Sequence, residues 1–585
     1  MMKVPNMSYR LRRSPAGRRG AAFASRTAML IACAGVLSAH APAPEPADLI
    51  VTADRIYTVD PTHPVVGAVA IRAGKVVFAG SEQQALVFKG SATRVRDFAG
   101  RTVIPGLADA HGHMMGLGFA LQQVDLVGAS SYDEVIARVV ARAKTARPGE
   151  WILGHGWDQN RWPDTHFPTH DALSKAVPDH PVVLTRIDGH ALLANARAMA
   201  AAKIGTGVKD PDGGRVLRTA KGEPTGVFID RAQGLVRQAI PPPTPEESRT
   251  ALLKAVAYAN SWGLVSVHDA GESRKTIELY DDLARTSALS LRAYVMIADD
   301  SADLAYFFQR GPQSAMYDGH LWVRSVKLYA DGALGSRGAA LLEPYSDDPG
   351  NSGLLVSTPD HLRSVAVAAL RSGFQVCTHA IGDRGNRVAL DAYEAALRDV
   401  PVADHRFRIE HAQILNHADI PRFAQLGVIP SMQTVHQASD MYWAGSRLGS
   451  DRLYGAYAWR SLLETGVIIP NGSDFPVEQV NPLLSFHAAI TRQDARNWPP
   501  GGWRPGERMT RDEALLAMTL WPAYAAFAEG VMGSLSAGKY ADFVVLDQDI
   551  MRVAPEQILA TRVVATFIGG TPVYEQASAA PGAKQ

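Results

Sequence analysis

The segment Asp109-Ala-His111-Gly-His113 places two imidazoles one residue apart. Alternate residues of an extended chain share a face, so both rings can reach one metal ion. By itself the pair is a weak signal, because polar residues commonly end a strand. Three more groups strengthen it. His379 closes the run 374–379, His411 closes the run 406–411, and Asp474 follows the run 467–471. Imidazole and carboxylate at the ends of four such runs do not arise from core packing, which selects apolar side chains. A donor set of this kind, without thiolate, suits Zn²⁺, with Fe, Mn, Co and Ni as alternatives.

Lys327 sits inside the run 323–329, between Val326 and Leu328. An inward-facing ammonium there is costly unless compensated. Two resolutions are open. One is an ion pair, which the residues alone favour. The other is reaction with CO₂ to give an anionic, bidentate carbamate able to bridge two metals.

Gathering these groups requires a scaffold that brings strand ends together. Eight short β-branched runs, at 102–105, 264–268, 291–296, 323–329, 374–379, 406–411, 427–432 and 467–471, alternate with helical stretches such as 364–372 and 386–398. The alternation predicts an α/β chain folded as a (β/α)₈ TIM barrel over 103–529, whose active site forms at the C-terminal ends of the strands. The gap between the first two runs far exceeds a normal βα connection. A large insertion after strand 1, at about 120–250, is therefore expected, and it is rich enough in Trp, Asp and Gly to cap the barrel mouth. Strand-like segments at 47–102 and 530–576 predict a small β-sandwich domain built from both chain ends. Residues 577–585 read as a disordered tail.

Of 585 residues, 59 are Lys or Arg and 58 are Asp or Glu, a net charge of +1. No basic field points to nucleic acid and no acidic tail to a solvating role. The 46% hydrophobic share excludes a disordered chain, a coiled coil and a collagen-like repeat. Two cysteines argue against a thiolate zinc site or a disulfide scaffold. Arg10, Arg12, Arg13, Arg18, Arg19 and Arg26 precede an apolar run at 28–39 and the small-x-small sequence Ala39-His40-Ala41. This reads as a signal peptide over 1–41, and predicts an exported, periplasmic bacterial protein. Leu30-Ile-Ala-Cys33 offers lipoprotein anchoring at Cys33 as the alternative. The apolar run is too short to cross a bilayer, so no membrane span is expected.

The ligand pattern, with His-x-His after strand one, Lys on strand four, His on strands five and six and Asp after strand eight, resembles the amidohydrolase superfamily. The sequences of 103–113 and 538–547 are similar to its typical phrases. Segments 156–162, 188–191, 224–227, 326–337 and 378–383 resemble amidohydrolase family 3, a branch that includes enzymes similar to N-substituted formamide deformylase. The likeness runs from about residue 48 to 574.

The resemblance implies that His111 and His113, with Asp474, hold a buried metal. It also implies that Lys327 is carbamylated and bridges to a second metal held by His379 and His411. Members of the branch vary here: some use Cys or Glu as the bridging ligand and some bind one metal. Asp474 is then the general base toward a metal-activated water and the general acid toward the leaving group. The implied activity is hydrolysis of a C–N bond, of non-peptide amide type, in a small-molecule substrate. A deaminase or an ester or carbamate hydrolase on the same site is the alternative, as is a non-catalytic exported binding protein. The resemblance also makes a homodimer an expectation.

Trp157, His190 and Arg337 are candidate substrate contacts, with a core aromatic, a surface-loop histidine and a solvated arginine as their plainer readings. His268 is expected to pack near the site. Cys377 shares a strand face with His379, and a buried core thiol is favoured over a stray ligand. Glu410 precedes His411, so alternation predicts that it points to the opposite side, into a structural ion pair.

Overall fold

A computed structural model describes residues 44–577, apart from 160–161, 187–188, 190 and 212–213. The expectations for the signal peptide, Cys33, His190 and the tail from 578 lie outside the described residues.

The barrel is built from seven parallel strands lying side by side in chain order: Leu107–Gly112, Leu264–Glu272, Arg292–Ile297, Leu321–Tyr329, Gln375–Ala380, Arg408–His411 and Ile429–Ser431. The third, at Arg292–Ile297, is buried at every residue, as a strand covered by helices on one side and barrel core on the other must be. The eighth position differs from the expected run at 467–471. Among the described residues it is a backbone clasp rather than a strand. Met432 N–H donates to Pro470 O at 3.0 Å, Gly472 N–H to Met432 O at 3.0 Å, and Ala110 N–H to Asn471 O at 3.1 Å. Pro470 has no N–H to extend a ladder, so pairing stops there while the barrel still closes.

The run at 102–105 also belongs elsewhere. It ends the strand Arg94–Pro105, which pairs with Leu49–Tyr57 and Phe543–Leu546 in the sheet made by the chain ends. Gly106 separates that strand from the first barrel strand. A Cβ on Gly106 would lie 2.4 Å from the Val265 side chain, so only glycine lets the two backbones pass. The N-terminal part of the sandwich therefore reaches Pro105 rather than 102.

That sheet has seven strands, with Phe543–Leu546, Val563–Ile568 and Thr571–Glu575 from the C-terminal end added to four from the N-terminal end. Leu49, Val51, Val69, Val103, Phe543 and Phe567 form its core. A buried ion pair ties it to the barrel: Arg292, on the third barrel strand, lies 2.6 Å from Asp542 and over the Tyr540 ring.

The insertion forms its own six-stranded sheet, running from Val124–Asp125 to Pro224–Asp230, with helices including Tyr132–Ala143 and His170–Ala176. It ends before the helix Pro245–Ser261, which leads into the second barrel strand. Thr244 and Glu247 cap that helix reciprocally, and Pro245 occupies its first turn, where its missing N–H costs nothing. No helix among the described residues is long and apolar enough to cross a membrane.

Candidate metal centre

Alternation along the first barrel strand turns Asp109 and His111 to the same side, and both are buried. His111 Nδ1 lies 2.5 Å from Glu410 Oε2. An ionised carboxylate only accepts, so Nδ1 carries the proton and Nε2 keeps its lone pair toward the barrel interior. Burial, then the Lys327 ammonium, push the His111 pKa down to about 4, so the ring is neutral, as metal ligation requires. Glu410 is paired at 2.7 Å with Arg408, which also donates to Ser431 Oγ and Ala110 O. Burial alone would raise the Glu410 pKa; Arg408 and His111 outweigh it and hold the carboxyl well below its ordinary range. His268 sits 2.8 Å from Arg408. It therefore packs one shell behind His111.

The expected ion pair of Glu410 is present, but not on the far side from the site. His411 has φ +73° and Ala412 φ +41°. This left-handed turn breaks strand alternation at its last residue, so Glu410 reaches His111 while His411 enters the same centre. His411 Nδ1 lies 2.7 Å from Gln433 Oε1, an acceptor, which leaves Nε2 as its free donor atom. The His379 and His411 rings are 4.6 Å apart, and His111 and His411 are 4.9 Å apart. Burial and Lys327 press the His379 pKa down to about 3. His379 Nε2 faces Gly332 O at 3.4 Å.

Asp474 follows the barrel clasp with φ +63°, and its N–H donates to His111 O at 2.7 Å. Two neighbours fix this path. The Asp109 carboxylate accepts from Ser473 N–H and Oγ–H and from His111 N–H, stitching the first strand to the clasp. Gly472 packs so close that a Cβ would lie 2.5 Å from His111 N. The Asp474 carboxylate thereby comes 3.2 Å from His113 Nε2 and 3.8 Å from His111 Nε2. Burial alone would raise its pKa; the hydrogen bond from His113, with the His111 and His411 rings alongside, holds it well below the usual carboxylate range.

Lys327 is 1% exposed, and burial lowers its pKa. The ion pair that the residues favoured is not made among the described residues. Its hydrogen-bond partner is His111 Nε2 at 3.2 Å, and the Tyr329 ring lies 4.8 Å away.

The structure thus brings His111, His113, Lys327, His379, His411 and Asp474 to one place. It adds His436, from the helix Thr434–Asp440 after the seventh strand, with Nε2 3.7 Å from Asp474 Oδ2. Sequence reasoning passed over His436. It lies five residues past the strand Ile429–Ser431 and inside a helix, so the strand-end pattern that marked the other ligands does not reach it. Donor atoms of His111, His113 and Asp474 lie within 4.8 Å of one another, as do those of His411, His436 and Asp474. Ions with bonds of about 2.0–2.2 Å can span such sets. Imidazoles and a carboxylate, with no thiolate in the set among the described residues, fit a divalent cation.

The softer candidates fall elsewhere. Trp157 is 1% exposed in the insertion's core, beside Trp162, with its indole N–H donating to Leu184 O. Among the described residues that position is filled by packing. Arg337 lies in the loop after the fourth strand, engaged by Asp347 at 3.0 Å. Cys377 packs against Ala270 and Met296, and burial pushes its thiol up to about 12, so it is a core residue.

Known proteins share this architecture. The chain is 36% identical over 541 residues to Protein LONG AFTER FAR-RED 3 of Arabidopsis thaliana, covering 90% of this chain and 92% of that protein. It is 27% identical over 546 residues to N-substituted formamide deformylase of Arthrobacter pascens, covering 90% and 98%. The crystal structure of an uncharacterized metal-dependent hydrolase from Pyrococcus furiosus superposes with a TM-score of 0.72 at 29% identity, covering 86% of this chain and 100% of that one. The sequence pattern of the amidohydrolase family matches residues 94–574, which take in the barrel, the insertion and strands of the sheet from both ends. The chain belongs to the amidohydrolase family and is a hydrolase of that fold.

Proposed function

We propose that this protein cleaves a carbon–nitrogen bond other than a peptide bond, of N-acyl or N-formyl amine type, in a small-molecule substrate, with the help of a divalent metal. The observation that carries the reading is the Asp474 carboxylate set among His111, His113, His411 and His436 where the barrel strands end. The name of the A. pascens relative supports the amide-type bond.

His111, His113 and Asp474 would hold one ion, with Lys327, His379 and His411 around a second. The donor set favours zinc. When bound, such an ion polarises a carbonyl and brings the pKa of water to about 7. The chain's own residues supply the rest. Glu410 keeps His111 in the tautomer that offers Nε2. Asp474, held ionised, accepts the proton of the attacking water and then returns it to the leaving nitrogen. Lys327, buried and without a carboxylate partner, is placed to be carbamylated. The basic and apolar leader supports export to the periplasm.

Two measurements test the reading. One is a substrate panel of N-formyl amines, N-acyl amines, esters, carbamates and aminopurines. Turnover of the amides first supports the proposal; turnover confined to esters or aminopurines overturns the bond type. The other is intact mass in bicarbonate. An acid-labile increment on Lys327 supports the carbamate, and an unmodified Lys327 in the active enzyme removes it.

A further inference from the structure

The Asp474 carboxylate divides its two oxygens. Oδ1 faces His113 and His111, and Oδ2 faces His436 Nε2 at 3.7 Å. That last separation is too long for a hydrogen bond. His436 Nε2 is nonetheless shielded from solvent and has no hydrogen-bond partner among the described residues. A buried polar atom left this way calls for an explanation, and a missing ion is one. The His436 ring lies parallel to the His411 ring, 5.8 Å away. His411 has committed Nδ1 to Gln433 and keeps Nε2 free. Donor atoms of His411, His436 and Asp474 therefore converge within 4.8 Å of one another.

We propose that His436 is a ligand of the second divalent cation, together with His411 and Asp474, so that Asp474 joins two cation sites through its two oxygens. This rests on the metal-dependent reading above, and extends it to a residue that the strand ends do not supply. The helix Thr434–Asp440 is then part of the metal centre. Its first turn is fixed by Thr434, whose N–H donates to Asn471 Oδ1 and whose Oγ–H donates to Ser485 O. The clasp that carries Asp474 and the helix that carries His436 are therefore held to each other, and the spacing between the two ligands is built in.

The test uses the full chain without a histidine tag, loaded with Zn²⁺ or with Co²⁺ and dialysed. Metal per chain is measured by elemental analysis, and the cobalt absorption spectrum reports the ligand field. Wild type is expected to retain two ions. His436→Ala and His436→Gln are expected to retain one, with affinity for the other reduced at least about 10–100-fold, the loss known for groups that support a ligand, and with an altered cobalt band. The Gln variant keeps a polar side chain in place, so a folding failure of the Ala variant does not remove the test. Two ions at unchanged affinity in the folded variants overturn the ligand assignment and leave the proposed function standing. One ion in the wild type overturns the shared second site. No ion in the wild type overturns the metal-dependent reading itself.

Discussion

Glu410 and His111, 299 positions apart in the chain, meet at 2.5 Å with both side chains fully buried. One residue sits on the sixth barrel strand and the other on the first, so the contact crosses the barrel interior. It sets which nitrogen of His111 is free, and it gives the Arg408 guanidinium a counter-charge. Replacing Glu410 with Gln keeps an acceptor of the same shape but removes the charge. Metal affinity should fall about 10–100-fold with the fold intact. Glu410→Ala should instead destabilise the protein by about 3–5 kcal/mol, because it strands a buried arginine. Metal titration and thermal unfolding of the two variants separate these effects.

Asp474 is assigned the proton transfers. In Asp474→Asn the general base is gone while the side chain keeps its size. We expect kcat to fall about 10²–10⁴-fold, the usual worth of positioned acid–base catalysis. Steady-state kinetics on the best substrate of the panel measure it, and a variant within a few-fold of wild type would exclude Asp474 as the base.

The Arg292–Asp542 pair joins the barrel to the sheet of the chain ends, at 2% and 6% side-chain exposure. Removing one partner leaves the other buried without compensation. Asp542→Ala is expected to cost about 3–5 kcal/mol, whereas Arg292→Met combined with Asp542→Leu should recover most of it. Unfolding midpoints of the single and double variants decide the matter.

Acid should weaken one identified contact on the barrel exterior. Arg460 lies beside Glu513, which also closes the capping box of the helix Arg511–Ala517. The Arg460 hydrogen bond, opposed by burial, holds the Glu513 pKa down at about 2. A carboxyl depressed on folding adds stability above its unfolded pKa, about 4.3–4.5, and loses it as the pH falls toward 2. The gap in melting temperature between wild type and Glu513→Gln should therefore be widest near neutrality and close between pH 4.5 and 2. A gap that stays constant across that window would remove the ion pair as its cause.

The sequence carried much of this. His379 and His411 were legible because a barrel gathers strand ends and each ends a strand-like run, and His111 because it pairs with His113 just past the first run. What it hid were features set by the backbone path. Alternation put Glu410 on the wrong side because a left-handed His411 is invisible to a period-two rule. The first barrel strand was expected at 102–105, which instead ends the strand at 94–105, because Gly106 alone divides that strand from the barrel strand after it. The eighth strand was overcalled because β-branched composition cannot show that Pro470 ends the ladder. His436 reaches Asp474 from a helix, through a turn whose course no spacing rule specifies. Trp157 takes the plainer of its two readings in its burial and in the indole N–H bond to Leu184 O, which the sequence could not reveal.

The sheet assembled from both chain ends bears on how the protein is made. Phe543–Leu546 pairs directly with Arg94–Pro105, so strands near the start of the chain lack a neighbour until the last part has been synthesised. At about 5–20 residues per second that wait lasts tens of seconds, with an edge strand exposed throughout. The barrel can collect its strands in order as they emerge, but this sheet cannot.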